Sequence, residues 1–247
     1  MITTALTTEL LLITLFGGLI CLDRRGAFQI MISQPLVVVP LMGFALGNLP
    51  MGLWLGAILQ LLWLSTLMVG TNVPQNETVA AVVIGGVAML YPRHCVGAHC
   101  GPPGEHLDVL VATLAILLGT PTALIARLMD VRNDRANLAM LAKADAAAKA
   151  GAPRTLTLLL LAGLARIFLS AIVVIGPGLC VGVILIMIIE PALNVPLRRA
   201  IEVVGQYVIP ALGFSVALST LRRRRALLMA AISFVVAVTV LHQEGVA

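Results

Sequence analysis

Residues 155–189 read TLTLLLLAGLARIFLSAIVVIGPGLCVGVILIMII, an apolar run in which Arg166 is the single charge. Crossing a hydrocarbon core about 30 Å thick takes roughly 20 helical residues, so this run is too long for one straight span. Arg166, Gly176-Pro177-Gly178 and Gly182 interrupt it, and it is predicted to be a broken helix, or a span plus a half-span. Working outward, residues 2–22 form another apolar run interrupted by Glu9, and residues 51–69 carry no charge. Residues 107–126 hold only Asp108 near their start, and residues 203–221 and 226–241 flank four consecutive arginines, Arg222 to Arg225. Each is near the length of a membrane span. The first run starts without a basic flank and Arg24-Arg25 follows it, so it is expected to stay in the mature protein rather than be cleaved.

Composition agrees with that reading. Of 247 residues, 60% are hydrophobic and 11% charged, and the mean hydropathy is +1.06. Soluble domains carry roughly 25% charged residues, so a soluble globular fold is excluded. Disorder is excluded by the abundance of apolar surface, and a disulfide scaffold by only four cysteines. The expectation is an all-α polytopic integral membrane protein with about six to eight transmembrane or re-entrant helices plus one amphipathic surface helix.

Two stretches fit a lipid-facing helix poorly. Residues 27–50 hold Gln29, Ser33, Gln34, Pro35, Pro40, Asn48 and Pro50, and residues 79–92 are only about half a span. Irregular backbone at membrane depth survives where protein or a wet cavity satisfies it, so both are expected to be re-entrant or discontinuous segments lining a site. Residues 127–154 differ again, mixing basic and acidic side chains with alanine and leucine and ending at Gly151-Ala152-Pro153. Leu128, Val131, Leu138, Leu141 and Ala148 recur at roughly helical spacing, which predicts a helix with one apolar face on the membrane surface, or else a solvated linker. The chain thus divides into an N-terminal membrane region 1–126 with polar site candidates, a cytoplasmic helix 127–154 and a C-terminal membrane region 155–247.

The net charge of +5 is gathered at Arg24-Arg25, within 127–154 and at Arg222 to Arg225. Basic clusters beside apolar runs stay on the cytoplasmic side, so these mark topology rather than nucleic-acid binding. The rule places residues 91–106 and the loop holding Glu190, Arg198, Arg199 and Glu202 on the opposite side.

No phosphate-cradling or dinucleotide fingerprint is present, and no Ser-His-Asp or Cys-His set can be assembled, so the chain does not read as a self-sufficient enzyme. No cofactor is called for. The loop His94-Cys95-Val96-Gly97-Ala98-His99-Cys100 with His106 leaves three readings open: a plain polar connection, a Cys95–Cys100 disulfide, or a zinc site. Cys21 and Cys180 read as small core residues. The sharper signal is a set of amides, hydroxyls and one carboxylate in the apolar N-terminal third: Gln34, Asn48, Gln60, Thr71-Asn72 and Gln75-Asn76-Glu77, with Trp54 and Trp63 nearby. Buried polar groups need partners, so these pair with one another, hold water or bind a polar ligand. Amides match the donors and acceptors of a sugar's hydroxyls; helix-to-helix hydrogen bonding with no ligand is the plainer reading.

Residues 23–36, Gly43-Phe44-Ala45-Leu46-Gly47-Asn48, Gly52, Gly56-Ala57-Ile58-Leu59-Gln60 and Val69-Gly70 to Pro74-Gln75-Asn76-Glu77-Thr78 resemble the membrane IIC component of mannose/fructose/sorbose-type sugar phosphotransferase systems. The resemblance implies a permease subunit that pairs with a IID membrane subunit in a hetero-oligomer of a bacterial inner membrane. Soluble IIA and IIB proteins would then pass phosphate from phosphoenolpyruvate to the sugar, leaving the phosphohistidines on partners. It also implies a substrate site at Gln34, Gln60, Asn72, Asn76 and Glu77. The family commonly has an acid at the positions of Asn48 and Gln60 and near Gln75 or Asn76, so this chain carries amides in place of carboxylates. Without the resemblance, another class of transporter subunit and a non-transporting scaffold also fit.

Overall fold

The computed structural model describes residues 2–27, 29–64, 73–94 and 108–219, with isolated positions 228 and 232. The 226–241 run apart from those two positions, Arg222 to Arg225, Asn72 and the loop bearing Cys95, His99, Cys100 and His106 lie outside the described residues. The regular elements among the described residues are all helices, with no strand: α1 (Ile2–Arg25), α2 (Pro35–Ala45), α3 (Leu49–Trp63), α4 (Glu77–His94) and α5 (Val109–Gly119). They continue with α6 (Pro121–Lys149), α7 (Pro153–Ala192), α8 (Val195–Val203), a π-helical turn (Val204–Val208) and α9 (Ile209–Ser219). Four helical stretches are long and apolar enough to cross a membrane: Thr4–Arg25, Val109–Lys149, Pro153–Ala192 and Val195–Ser219.

The core is built around α4. Every residue from Thr78 to Tyr91 is buried, with α1, α2, α3, α5, α6 and α7 packed around it. A helix apolar on all sides belongs inside protein. At 18 residues α4 is about 27 Å long, which corrects the half-span expected for residues 79–92. Its polar ends, Asn76-Glu77 and Arg93-His94, hid its true length. Outside the core, Leu158, Leu161, Val173, Val181, Ile184 and Ile188 of α7 are exposed, as befits a surface that meets lipid rather than water. Cys180 shares that surface, so it is not the core residue expected, whereas Cys21 is buried as anticipated.

α2 and α3 have 11 and 15 residues, about 16 and 22 Å, too short to cross alone. They form a tight helical hairpin whose turn uses Gly47 at φ +71° and Asn48, which caps α3 by accepting from Met51 N–H at 3.2 Å. The arms touch backbone to backbone: a Cβ on Gly52 would come within 3.0 Å of Gly43 Cα and of Val39 O. Small residues permit such approach where no hydrophobic drive separates helix from lipid.

The expected break within residues 155–189 is absent. α7 runs unbroken for 40 residues through Pro177, about 60 Å. Its glycines serve packing instead, since a Cβ on Gly182 would meet Val87 Cγ2 at 2.6 Å and one on Gly178 would meet Val83 Cγ2 at 3.1 Å. The break falls in residues 107–126 instead, where Pro121 opens α6. α6 and α7 form a long antiparallel hairpin, turned by Gly151 at φ +62° at the predicted Gly151-Ala152-Pro153 stop. Leu128, Leu138 and Leu141 on α6 are left exposed.

Replacing Gly52 by Ala is expected to cost about 1–3 kcal/mol, because backbone atoms on three sides cannot yield. Gly176→Ala, whose Cβ would have only ordinary contact with Thr14 Cγ2 at 3.5 Å, is expected to be neutral. Thermal unfolding in detergent checks the pair; equal midpoints would refute the close hairpin.

Candidate functional site

Polar side chains gather at the two ends of the bundle. At one end, Arg24 closes α1 and lies between α4 and α6. Its Nε and Nη2 donate to Glu77 Oε1 and Oε2 at 3.2 and 3.1 Å, its Nη1 to Asp130 Oδ2 at 3.0 Å and its Nη2 also to the Gln75 carbonyl at 3.0 Å. The Arg24 side chain is 5% exposed and Asp130 is 8% exposed. Asn76 completes the group: its Nδ2 donates to Asp130 Oδ2 at 3.0 Å, while its Oδ1 caps α4 by accepting from Val79 N–H at 3.1 Å. An aspartate could cap α4 equally well but could not donate to Asp130. Next along, Arg25 pairs with Asp134 at 3.1 Å and Asn133 donates to Ser170 Oγ at 2.7 Å.

The loop before α2 is held by Asp23, whose carboxylate accepts from Ile30 N–H at 2.7 Å and Ser33 N–H at 3.0 Å. That anchoring compensates the left-handed backbone of Gln29 and Met31, at φ 51° and 66°. Thr78 Oγ1 then donates to the Ser33 carbonyl at 3.0 Å, tying the loop to α4. Gln34 follows at once. Its Oε1 accepts from Gln60 Nε2 at 3.1 Å, and Gln60 Oε1 accepts from Leu36 N–H at 3.3 Å, so the pair closes the open end of the α2–α3 hairpin. Both glutamines are half-buried.

Of the five residues singled out in the sequence, Gln34 meets Gln60, and Asn76 and Glu77 join a second group through Arg24 and Asp130. The Ser33–Thr78 contact links the two groups; Asn72 lies outside the described residues. Among the described residues no buried side-chain nitrogen or oxygen lacks a partner, so mutual pairing accounts for the buried polar groups. Sequence reading noted Ser33 only as one of the polar residues of 27–50 and singled out neither Asp23 nor Asp130 as a site residue. Asp130, Asn133, Asp134 and Asn137 recur at i, i+3, i+4 and i+7, a polar helix stripe that could have been matched to Arg24-Arg25.

At the other end, Glu9 of α1 meets Arg93 Nη2 at 2.9 Å and His94 Nε2 at 2.7 Å. Arg93 Nη1 also donates to the Leu46 carbonyl at the hairpin turn at 2.7 Å. Tyr91 donates to Glu190 at 3.2 Å, and Glu190 pairs with Arg198 at 2.6 Å. Arg24-Arg25 and α6 thus share one end, with Arg93, Glu190 and Arg198 at the opposite one. Among the described residues no three His, Cys, Asp or Glu side chains could hold a metal ion.

The model of the sorbose-specific IIC component of the phosphotransferase system matches residues 7–244. The chain belongs to this IIC family. Two solved structures are similar to the IIC chain. One, described simply as a membrane protein, has a TM-score of 0.64 at 18% identity, covering 94% of this chain and 87% of the other. A cryo-EM structure of the mannose transporter ManYZ with microcin E492 has a TM-score of 0.54 at 16% identity, covering 95% of this chain and 86% of that one. At such identities the likeness concerns the fold. No curated protein sequence matches the IIC chain.

Removing Arg24 leaves Glu77 and Asp130 as uncompensated, largely buried charges. Arg24→Ala is expected to destabilise the IIC chain by about 3–5 kcal/mol. Arg25→Ala breaks a pair whose carboxylate is 47% exposed, and should cost about 1 kcal/mol or less. Unfolding midpoints of the two variants in one detergent decide it.

Proposed function

We propose that this IIC chain is the sugar-translocating subunit of a phosphoenolpyruvate-dependent phosphotransferase system. It binds a hexose, carries it across a bacterial inner membrane and delivers it for phosphorylation by a IIB partner. A IID subunit completes the membrane part, and IIA supplies the phosphoryl group to IIB.

The observation that carries this reading is the Gln34–Gln60 pair in a chain whose family is a sugar-specific membrane component. Each carboxamide offers a carbonyl acceptor and two N–H donors. The Gln34 Nε2 donates no hydrogen bond among the described residues, so the pair has capacity for hydroxyls. A sugar hydroxyl can replace the amide-to-amide bond by donating to Gln34 Oε1 while accepting from Gln60 Nε2. Neither side chain changes charge, which suits an uncharged substrate at membrane depth. Asn76 and Glu77 belong to the neighbouring ionic group with Arg24 and Asp130, and Asn72 is proposed as a further substrate residue on the resemblance alone. The basic end, with Arg24, Arg25 and α6, faces the cytoplasm, where the phosphoryl carriers work.

Gln60→Leu keeps the volume and removes the hydrogen bonds. Phosphoenolpyruvate-dependent phosphorylation of labelled hexoses, measured with membranes holding the IIC and IID subunits plus soluble IIA and IIB, is expected to fall about tenfold. Assembly with IID should persist. Undiminished phosphorylation would overturn the sugar path through this pair.

A further inference from the structure

Ser33 immediately precedes Gln34, and both of its backbone groups are held by side chains from other helices. Its N–H donates to Asp23 Oδ2 of α1 at 3.0 Å, and its carbonyl accepts from Thr78 Oγ1 of α4 at 3.0 Å. Water does not reach this clamp: Thr78 is 0% exposed, Ser33 5% and Asp23 7%. The loop supplies less of its own support. Gln34 N–H donates to the Met31 carbonyl at 3.2 Å, and Gln29 and Met31 both lie in the left-handed region, which is unfavourable for residues with a side chain.

The start of α4 can anchor the loop because it is itself fixed. Asn76, Glu77 and Thr78 are consecutive, and each side chain reaches a different element: Asp130 of α6, Arg24 of α1 and Ser33. Beyond the clamp, Val37 and Val38 N–H both donate to the Gln34 carbonyl at 2.9 Å, so Gln34 stands between a pinned peptide and the first turn of α2. Its place is set by α1 and α4, whereas Gln60 is carried by α3. We propose that Thr78 is a positioning residue of the sugar site, which touches no sugar itself and holds the Ser33 carbonyl so that the Gln34 carboxamide meets the hydroxyls in one place. This rests on the sugar reading of the Gln34–Gln60 pair. Without the Thr78 hydroxyl the buried Ser33 carbonyl loses its partner and the peptide turns to find another. Sugar binding must then order Gln34 as well, a cost borne alike by the bound ground state and the transition state. The loss therefore falls on KM and spares kcat.

The test measures both constants for phosphoenolpyruvate-dependent phosphorylation, in membranes holding the IIC and IID subunits with soluble IIA and IIB. The probe is whichever of labelled glucose, mannose, fructose and sorbose the native chain turns over fastest. Thr78→Val keeps the branched shape, and is expected to raise KM about fivefold with kcat within about twofold of native. Thr78→Ser keeps the hydroxyl and should restore the native KM. Thr78→Ala should act as the valine does, and keeps the test open if the valine variant fails to assemble. In a Gln60→Leu background the effect of Thr78→Val should shrink below about twofold, because the pair it serves is already broken. An undiminished effect there, or a loss of kcat that serine does not restore, would mark a merely structural role and refute the proposal. A KM raised by Gln60→Leu but by neither Thr78→Val nor Thr78→Ala would overturn the positioning role alone. No turnover of any of the four sugars by the native chain, or a KM that Gln60→Leu leaves unchanged, would remove the sugar reading and this proposal with it.

Discussion

The guanidinium of Arg24 is the joint on which the bundle depends. It ends α1, receives the first carboxylate of α4 and reaches the Asp130 carboxylate of α6, so three helices take their relative height from one planar group. Such a joint contributes little net stability, because desolvating the charges offsets their attraction. Its effect is specificity. A helix slid by one turn would strand a carboxylate in apolar surroundings, and in a membrane, where every apolar helix face is equally content in lipid, few other forces fix the register.

Much of this arrangement was legible in the sequence, and what was missed has a physical pattern. Apolar runs announced the membrane class, and Gly151-Ala152-Pro153 marked the hairpin turn, because composition and turn chemistry are local properties. Pro177 with its flanking glycines misled, because glycine reads as a breaker in a chain surrounded by water but as a contact surface in a chain packed on Val83 and Val87. Arg24 and Arg25 read as topological markers, but in the fold they also pair with carboxylates over a hundred residues on, Asp130 and Asp134. Only the placement of α6 parallel to α1, each antiparallel to α7, reveals that pairing. For the candidate site, the amides were visible as anomalies in apolar runs, while their division into a neutral pair and an ionic group depended on Arg24, which no residue type alone could disclose.

The two ends of the bundle have different chemistry around the same hairpin. At the base of α2 and α3 the contacts are amide to amide and hydroxyl to carbonyl, short-range and easily exchanged. At the turn, Arg93 holds the Leu46 carbonyl while sharing Glu9 with His94, a charged clasp at the opposite surface. The amides Asn48, Gln60 and Asn76 stand in the hairpin and just before α4. There the structure gives two of them work that needs an N–H: Gln60 donates to Gln34 and Asn76 to Asp130.

α7 belongs to both ends. It packs beside α1, α4, α5 and α6, carries Glu190 near its C-terminus and Arg166 in its first half, and has no interruption between them. A rod about twice as long as the hydrocarbon is thick behaves as a lever pivoting where it crosses the core. A small tilt swings the Glu190 end and the Gly151 tip in opposite directions, so the two membrane faces are mechanically geared to one another through a single helix.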